Sequence, residues 1–210
     1  MEPEATMEIK DRILLAAREL FTHRGIKSVS MDDIATHLSM SKKTLYKWFE
    51  NKDQIVEGVM RHHLGQTQGE CETLIGTAGS AIDELFGMMG WMRSQFTDMH
   101  PSIFYDLEKY YPVSWQLWLE HKNNYILEQI TDNLRRGVEE GLYRADLDVE
   151  VLARLRLAEI EMAFNPVIFP PRTFDLQRVS LITLEHFMLG VATLKGHKLI
   201  NQYRQVTEEE

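Results

Sequence analysis

Between Ser28 and Phe49 the chain reads SVSMDDIATHLSMSKKTLYKWF. Ser30 and Asp33 have the spacing of a capping box, in which a hydroxyl and a carboxylate satisfy the orphan amides of a helix start. Val29 and Ile34 stand at the flanking staple positions. The helix so opened is short, because Leu38-Ser39-Met40 interrupts it and Ser41 is placed to cap the next one. From Ser41 onward, KKTLYKWF sets Leu45, Trp48 and Phe49 on a side expected to be buried, with Lys42, Lys43 and Lys47 on the other. Two short helices joined by a three- or four-residue turn make a helix-turn-helix.

Upstream, Ile9, Ile13, Ala16, Ala17, Leu20 and Phe21 recur at helical spacing, and Gly25 follows as a stop signal. Downstream, Asn51 with Gln54 reads as another cap and opens a longer helix through Ile55, Val56, Val59 and Met60. The lysines pose the chemical question. The positive end of the helix dipole disfavours cations in a first turn, where Ser41, Lys42, Lys43 and Thr44 lie. Cations at that end, beside oriented amides, suit an anion outside the protein. On charge alone, a solvated surface with incidental lysines explains them equally well.

The 210 residues are 44% hydrophobic, enough for one domain or for a small domain fused to a larger one. The formal net charge is -9, yet residues 1–64 hold ten Lys and Arg against ten Asp and Glu, so the whole negative excess lies beyond them. A neutral head with lysine clusters on an acidic body suggests separate tasks for two regions. Cys71 is the single cysteine, which excludes an internal disulfide and a thiolate zinc site and fits a reducing cytoplasm. No apolar run reaches the length of about 18 residues that a membrane span needs, and the acidic start MEPEATMEIK has no secretory h-region. No membrane association is expected.

The run from Leu14 to Met60, LLAARELFTHRGIKSVSMDDIATHLSMSKKTLYKWFENKDQIVEGVM, resembles the DNA-binding domain of the tetracycline-repressor (TetR) family of bacterial regulators. The matching marks are ARELFTHRG, MDDIA, SKKTLYKWF and NKDQI, in order, over the first quarter of the chain. Ser39 departs from the Gly usual at the turn, and Lys43 from a frequent Gly in the recognition helix. The resemblance implies that the lysines meet operator DNA, with Ser41 capping the recognition helix and Lys42, Lys43, Thr44 and Lys47 at the major groove or its rim. It implies phosphate contacts for Tyr46, for Lys52, and for Ser30 and Met31 at the start of the second helix, and counts Ser41 among the DNA-binding residues.

Beyond residue 64 the sequence reads as helical throughout, with stretches over about 80–99, 101–110, 112–140, 148–164 and 173–200. Gly65, Gly69, Gly76 and Gly79 mark the expected hinge, NPVIFPPRT is an irregular connector, and the Glu208–Glu210 end reads as frayed. The expected architecture is all-α: a helix-turn-helix domain over 7–54 joined to a larger helical domain over 55–204. Aromatics and methionines crowd residues 88–118, and such a set builds either an ordinary core or an apolar ligand cavity. The resemblance favours an effector site there, with Trp91, Tyr105, Tyr111, Trp115 and Trp118 the expected contributors because indoles and phenols carry polar tips. An apolar or cationic effector suits an acidic body without a buried basic cluster.

The last two helical stretches are apolar on more than one side, as central or partner-shared helices are. The resemblance implies a homodimer through them, with Leu152, Leu155, Met162, Val179, Phe187 and Val191 at the interface. No phosphate loop, nucleophile elbow or HExxH motif occurs, and His62, His63, His186 and His197 lack spaced partners. No catalytic residue, metal ligand or cofactor is therefore expected. The reading is a ligand-responsive, cytoplasmic DNA-binding repressor, with double-stranded operator DNA, a second copy of itself and a small effector as partners. A constitutive DNA binder without effector is the alternative. An enzyme with an accessory DNA-binding head is disfavoured by the missing catalytic constellation.

Overall fold

The computed structural model describes residues 8–205, so Met7 and the Glu208–Glu210 end lie outside the described residues. The described elements are helical, and an isolated bridge between Tyr143 and Ala192 is the one β feature given for them. The chain divides into two compact units, Met1–Gln66 with Asp98–Leu119, and Thr67–Thr97 with Glu120–Glu210.

The first unit starts with α1 (Ile9–Arg24), which buries Ile13, Ala16, Ala17, Leu20 and Phe21 and leaves Ile9 exposed. Gly25 ends it at φ 77°, donating its N–H to the Phe21 carbonyl at 2.9 Å. A Cβ on Gly25 would also stand 2.5 Å from Ser102 Oγ, so both the backbone and the neighbour require glycine. Next come α2 (Met31–His37), α3 (Lys42–Tyr46) and α4 (Lys52–Thr77). The staple residues Val29 and Ile34 are buried together with Leu45, Phe49, Ile55 and Val56.

Two expectations about this region are corrected. Gly65, Gly69 and Gly76 lie inside α4, which does not break there. Each costs about 1 kcal/mol relative to alanine, too little to stop a helix of 26 residues. Nor is residue 54 a boundary, because Ile55, Val56 and Met60 belong to the first unit's core. That core is completed by Leu107 and Tyr111, from α6 (Ile103–Tyr110) and its end, with Trp115 and Leu117 of α7 (Pro112–His121) packed against it.

The second unit gathers the C-terminal part of α4 with α5 (Ala81–Phe96), α8 (Leu127–Glu139), α9 (Val149–Ala163), α10 (Leu176–Val191) and α11 (Leu194–Arg204). The helix expected over 112–140 is interrupted by a π-helical turn, Lys122–Ile126. The one expected over 173–200 breaks at Ala192, whose extended ψ of 146° lets Thr193 cap α11. Ile82, Leu134, Leu184, Met188 and Ile200 form the fully buried centre. Beside them Tyr143 donates to Asn133 Oδ1 at 3.1 Å, and Asn133 donates to the Ala81 carbonyl at 3.0 Å. The Tyr143 ring occupies the space where a Cβ on Gly137 would stand, at 2.0 Å, so that glycine is dictated by packing.

Candidate nucleic-acid interface

The helix-turn-helix is built by caps. Ser30 Oγ accepts from the Asp33 amide at 3.1 Å, while the Ser30 amide donates to Asp33 Oδ2 at 2.7 Å. The Ser30 hydroxyl, donating to Asp33 Oδ2 at 2.5 Å, and then the Ser30 amide hold the Asp33 carboxyl below its usual range. They also mean that Ser30, expected at phosphate, has its donors engaged within the cap. Met31 packs its side chain partly against the core. At α3, Ser41 Oγ accepts from the Thr44 amide at 3.1 Å and lies 2.8 Å from Thr44 Oγ1.

Ser39 stands in the turn at φ 51°, the left-handed region that favours glycine. Its N–H bonds the Thr36 carbonyl at 3.0 Å, and Met40 N–H bonds that of Ala35 at 2.8 Å, so the turn closes in spite of the Cβ. Lys42 reaches back to Asp32 with an ammonium–carboxylate distance of 2.5 Å, and that bond raises its pKa. Both groups remain open to solvent, so an incoming phosphate can compete for the ammonium. Lys43, Tyr46 and Lys47 are exposed and Thr44 half-buried.

Trp48 and Lys52 correct the sequence reading. Trp48, expected in the core with Leu45 and Phe49, is 43% exposed. α3 ends at Tyr46, so helical spacing no longer governs where residue 48 points, and Phe49 takes the buried position alone. The indole beside Lys47 joins the exposed face and was missed because its neighbour satisfied the same apolar signal. Lys52, expected at phosphate, turns inward instead. Its Nζ donates to the Ile26 carbonyl at 2.5 Å and lies 5.8 and 5.7 Å from the ring centres of Phe21 and Tyr111. Burial lowers its pKa, partly opposed by Asp106, Asp53 and Asp33.

The expected effector residues divide between the two units. Tyr105, Tyr111, Trp115 and Trp118 lie in the first unit and Trp91 in the second. Tyr111 is core, its phenol pushed up to about 12 by desolvation. Trp118 packs edge-on against Phe104 at 5.2 Å, Trp115 lies against the first unit's core, and Tyr105 is exposed. In the second unit, Trp91 Nε1 donates to Glu70 Oε2 at 2.9 Å. Phe96 follows edge-on to Trp91 at 6.5 Å and to Phe164 at 5.8 Å. Sequence spacing could not reveal the Trp91–Glu70 pairing, which joins two helices.

The interior of this unit does hold cations, which the sequence left invisible. Lys122, in the π-helical turn, is buried and paired with Glu161. Buried Arg156 meets Glu159 at 3.1 Å and the Phe187 ring at 5.7 Å. Each cation thus has its own carboxylate. Cys71 is buried, and desolvation pushes its thiol up to about 11, where little nucleophilic thiolate forms.

The expected dimer residues divide as well. Val179, Phe187 and Val191 are buried within the unit's own core, and Leu152 and Met162 are half-buried. The exposed apolar side chains on α9 and α10 are Val151, Leu155 and Ile182. Among the described residues no cluster suited to a metal ion occurs, and no helix is long and apolar enough to cross a membrane.

Residues 13–59 match the family of bacterial regulatory proteins, tetR family. The chain is 29% identical over 155 residues to the HTH-type transcriptional repressor KstR2 of Mycolicibacterium smegmatis, covering 72% of this chain and 76% of that protein. It is 24% identical to the fatty acid metabolism regulator protein of Bacillus subtilis, over 86% of this chain and 94% of that one. Its fold matches a putative transcriptional regulator from Saccharomonospora viridis in complex with choline, at 20% identity with a TM-score of 0.72, over 88% and 97% of the two chains. Residues 13–59 are thus a DNA-binding domain of the tetR family type, and the chain is a DNA-binding transcriptional regulator.

Proposed function

We propose that this protein is a homodimeric cytoplasmic repressor of the TetR family that holds a palindromic operator and releases it when a small apolar or cationic effector binds. The observation that carries the DNA half is the capped α2–turn–α3 unit, which presents Lys43, Tyr46, Lys47 and Trp48 to solvent on one short element. Lys43, Thr44 and Lys47 read base edges or the groove rim, and Lys42 exchanges Asp32 for a phosphate. The repressor named among its relatives supports the sign of regulation.

For the effector, the second unit offers indole and phenyl faces with a carboxylate beside them: Trp91, Phe96 and Phe164 with Glu70. Aromatic faces and a carboxylate attract cations and apolar groups alike. Lys122 and Arg156 argue for no anionic ligand, since each is already matched by a glutamate. A choline complex among the structural neighbours fits the cationic class. A second copy is expected to cover Val151, Leu155 and Ile182, whose exposure a partner's α9 and α10 would remove.

The test is a selection of duplexes from random DNA, followed by titration of the recovered sequence with choline, tetrabutylammonium and an uncharged apolar compound of similar size. A releasing compound must bind the DNA-free protein more tightly by the factor by which it weakens operator binding. Trp91→Ala and Glu70→Gln are expected to blunt release while leaving uninduced binding intact. A protein that binds one sequence tightly and responds to no compound is a constitutive binder. One that selects no sequence overturns the reading.

A further inference from the structure

The surface of α6 carries a cluster that the helix-turn-helix does not account for. Lys27, in the loop after α1, donates from Nζ to the Tyr110 phenol oxygen at 3.0 Å and sits 4.7 Å from that ring's centre. Lys109 donates to the Tyr105 phenol oxygen at 2.6 Å and lies 5.0 and 5.5 Å from the centres of the Tyr105 and Tyr110 rings. The two rings meet edge to face at 6.5 Å. All four residues are exposed and belong to the same compact unit as α1 to α3.

Three features set this cluster apart from scattered surface lysines. First, both ammonium groups are held by phenols, which fix their position without neutralising them. Lys42, Arg61, Arg135 and Arg144, by contrast, are held by carboxylates. Second, the nearest acid under Lys27 is occupied. Asp106 is buried and accepts from the Lys27 amide at 2.9 Å and the Ser102 hydroxyl at 3.1 Å. Third, the loop is fixed from below, because Lys52 donates to the carbonyls of Ile26 and Lys27. Lys27 is three residues ahead of the α2 cap Ser30, so chain reach keeps it within about 11 Å of the start of the helix that crosses the DNA backbone in this motif.

We propose that Lys27, Lys109 and their two tyrosines form an auxiliary contact for the DNA backbone, extending the interface beyond the helix-turn-helix onto α6. Each lysine takes one phosphate, and the phenols act as pre-set supports and additional donors. Such contacts add affinity and salt dependence but carry no sequence preference.

This inference rests on the DNA-binding reading, and the experiment separates the two. The protein is titrated with the selected duplex and with a random duplex across about 50–200 mM salt. With two protomers on the duplex, Lys109→Gln is expected to lower the salt slope by about 1.8 and Lys27→Ala/Lys109→Gln by about 3.6, on both duplexes alike, with the order of sequence preference unchanged. Lys109→Arg restores the slope, and Lys198→Ala, on α11, leaves it unchanged. Circular dichroism and thermal midpoints establish that the variants are folded. Unchanged slopes in folded Lys109→Gln and the double variant, with binding still sensitive to Lys43→Ala, overturn this proposal alone. A wild type that binds neither duplex overturns the reading beneath it. Retained slopes with loss of binding to vesicles of anionic phospholipid assign the patch to a membrane surface instead.

Discussion

Lys42, the first residue of α3, reaches across the turn to Asp32 in the first turn of α2, ammonium to carboxylate at 2.5 Å. The bond braces the two short helices against each other, and it also occupies the cation that the groove rim would attract. In the proposed complex DNA and Asp32 would compete for one ammonium group. Asp32→Asn is expected to tighten binding to every duplex by about two- to fivefold, the scale of an exposed ion pair. Titration of selected and random duplexes checks it. A loss of affinity would show that the brace matters more than the competition.

Ser39 holds a left-handed backbone that glycine adopts freely. Ser39→Gly is expected to stabilise the protein by about 0.5–1 kcal/mol, the strain relieved less the extra entropy of an unfolded glycine. Thermal unfolding should rise by about 1–4 °C. A fall would mean that the serine side chain contributes more than its conformation costs.

Lys52 is expected to act on folding. Removing it leaves the Ile26 and Lys27 carbonyls short of a donor, so Lys52→Ala should cost about 1–2 kcal/mol of stability. The salt slope of DNA binding should stay as in the wild type. A drop of about 1.8 in slope, one phosphate per protomer of the dimer, without a change in melting temperature would return Lys52 to the phosphate.

On α9 and α10, burial separates dimer from core. Phe187→Asp places a carboxylate in the second unit's centre and is expected to cost on the order of 3 kcal/mol or more, unfolding the unit. Leu155→Asp and Ile182→Asp alter exposed positions and should yield folded monomers. Sedimentation beside circular dichroism distinguishes the two outcomes. Folded monomers from Phe187→Asp, or unchanged dimers from both surface variants, would refute the assignment.

His121 supplies a pH dependence. Burial lowers its pKa below 6.5, so the folded protein binds that proton less tightly than the unfolded chain. The stability it contributes is complete above pH 6.5 and declines as pH falls from there through the folded pKa. His121→Gln should flatten that part of the curve, read by denaturant unfolding at stepped pH. An identical slope in the variant would remove His121 from the account.

Short-range grammar made the first helices legible: the caps at Ser30 and Ser41, the stop at Gly25 and the staple of Val29 with Ile34 all act within five residues. The misread residues depend on partners far along the chain. Lys52 bonds carbonyls 25 and 26 residues away, and segment 98–119 joins the first unit partly through a bond from Lys27 to Asp106, 79 residues apart. Trp48 failed for a local reason. A five-residue helix is too short for its period to choose between adjacent Trp48 and Phe49. Trp91 could be singled out as an indole, but its partner Glu70 could not, because surface and interior glutamates look alike in a sequence.

The π-helical turn at Lys122–Ile126 inserts one residue into what is otherwise a continuous helical run from Pro112 to Glu139. One extra residue advances every later side chain by about 100° around the axis. Leu127, Ile130 and Leu134, after the turn, pack into the second unit's core. Deleting a single residue between 122 and 126 would mend the ordinary hydrogen-bond ladder and still turn the whole of α8 to present the wrong face.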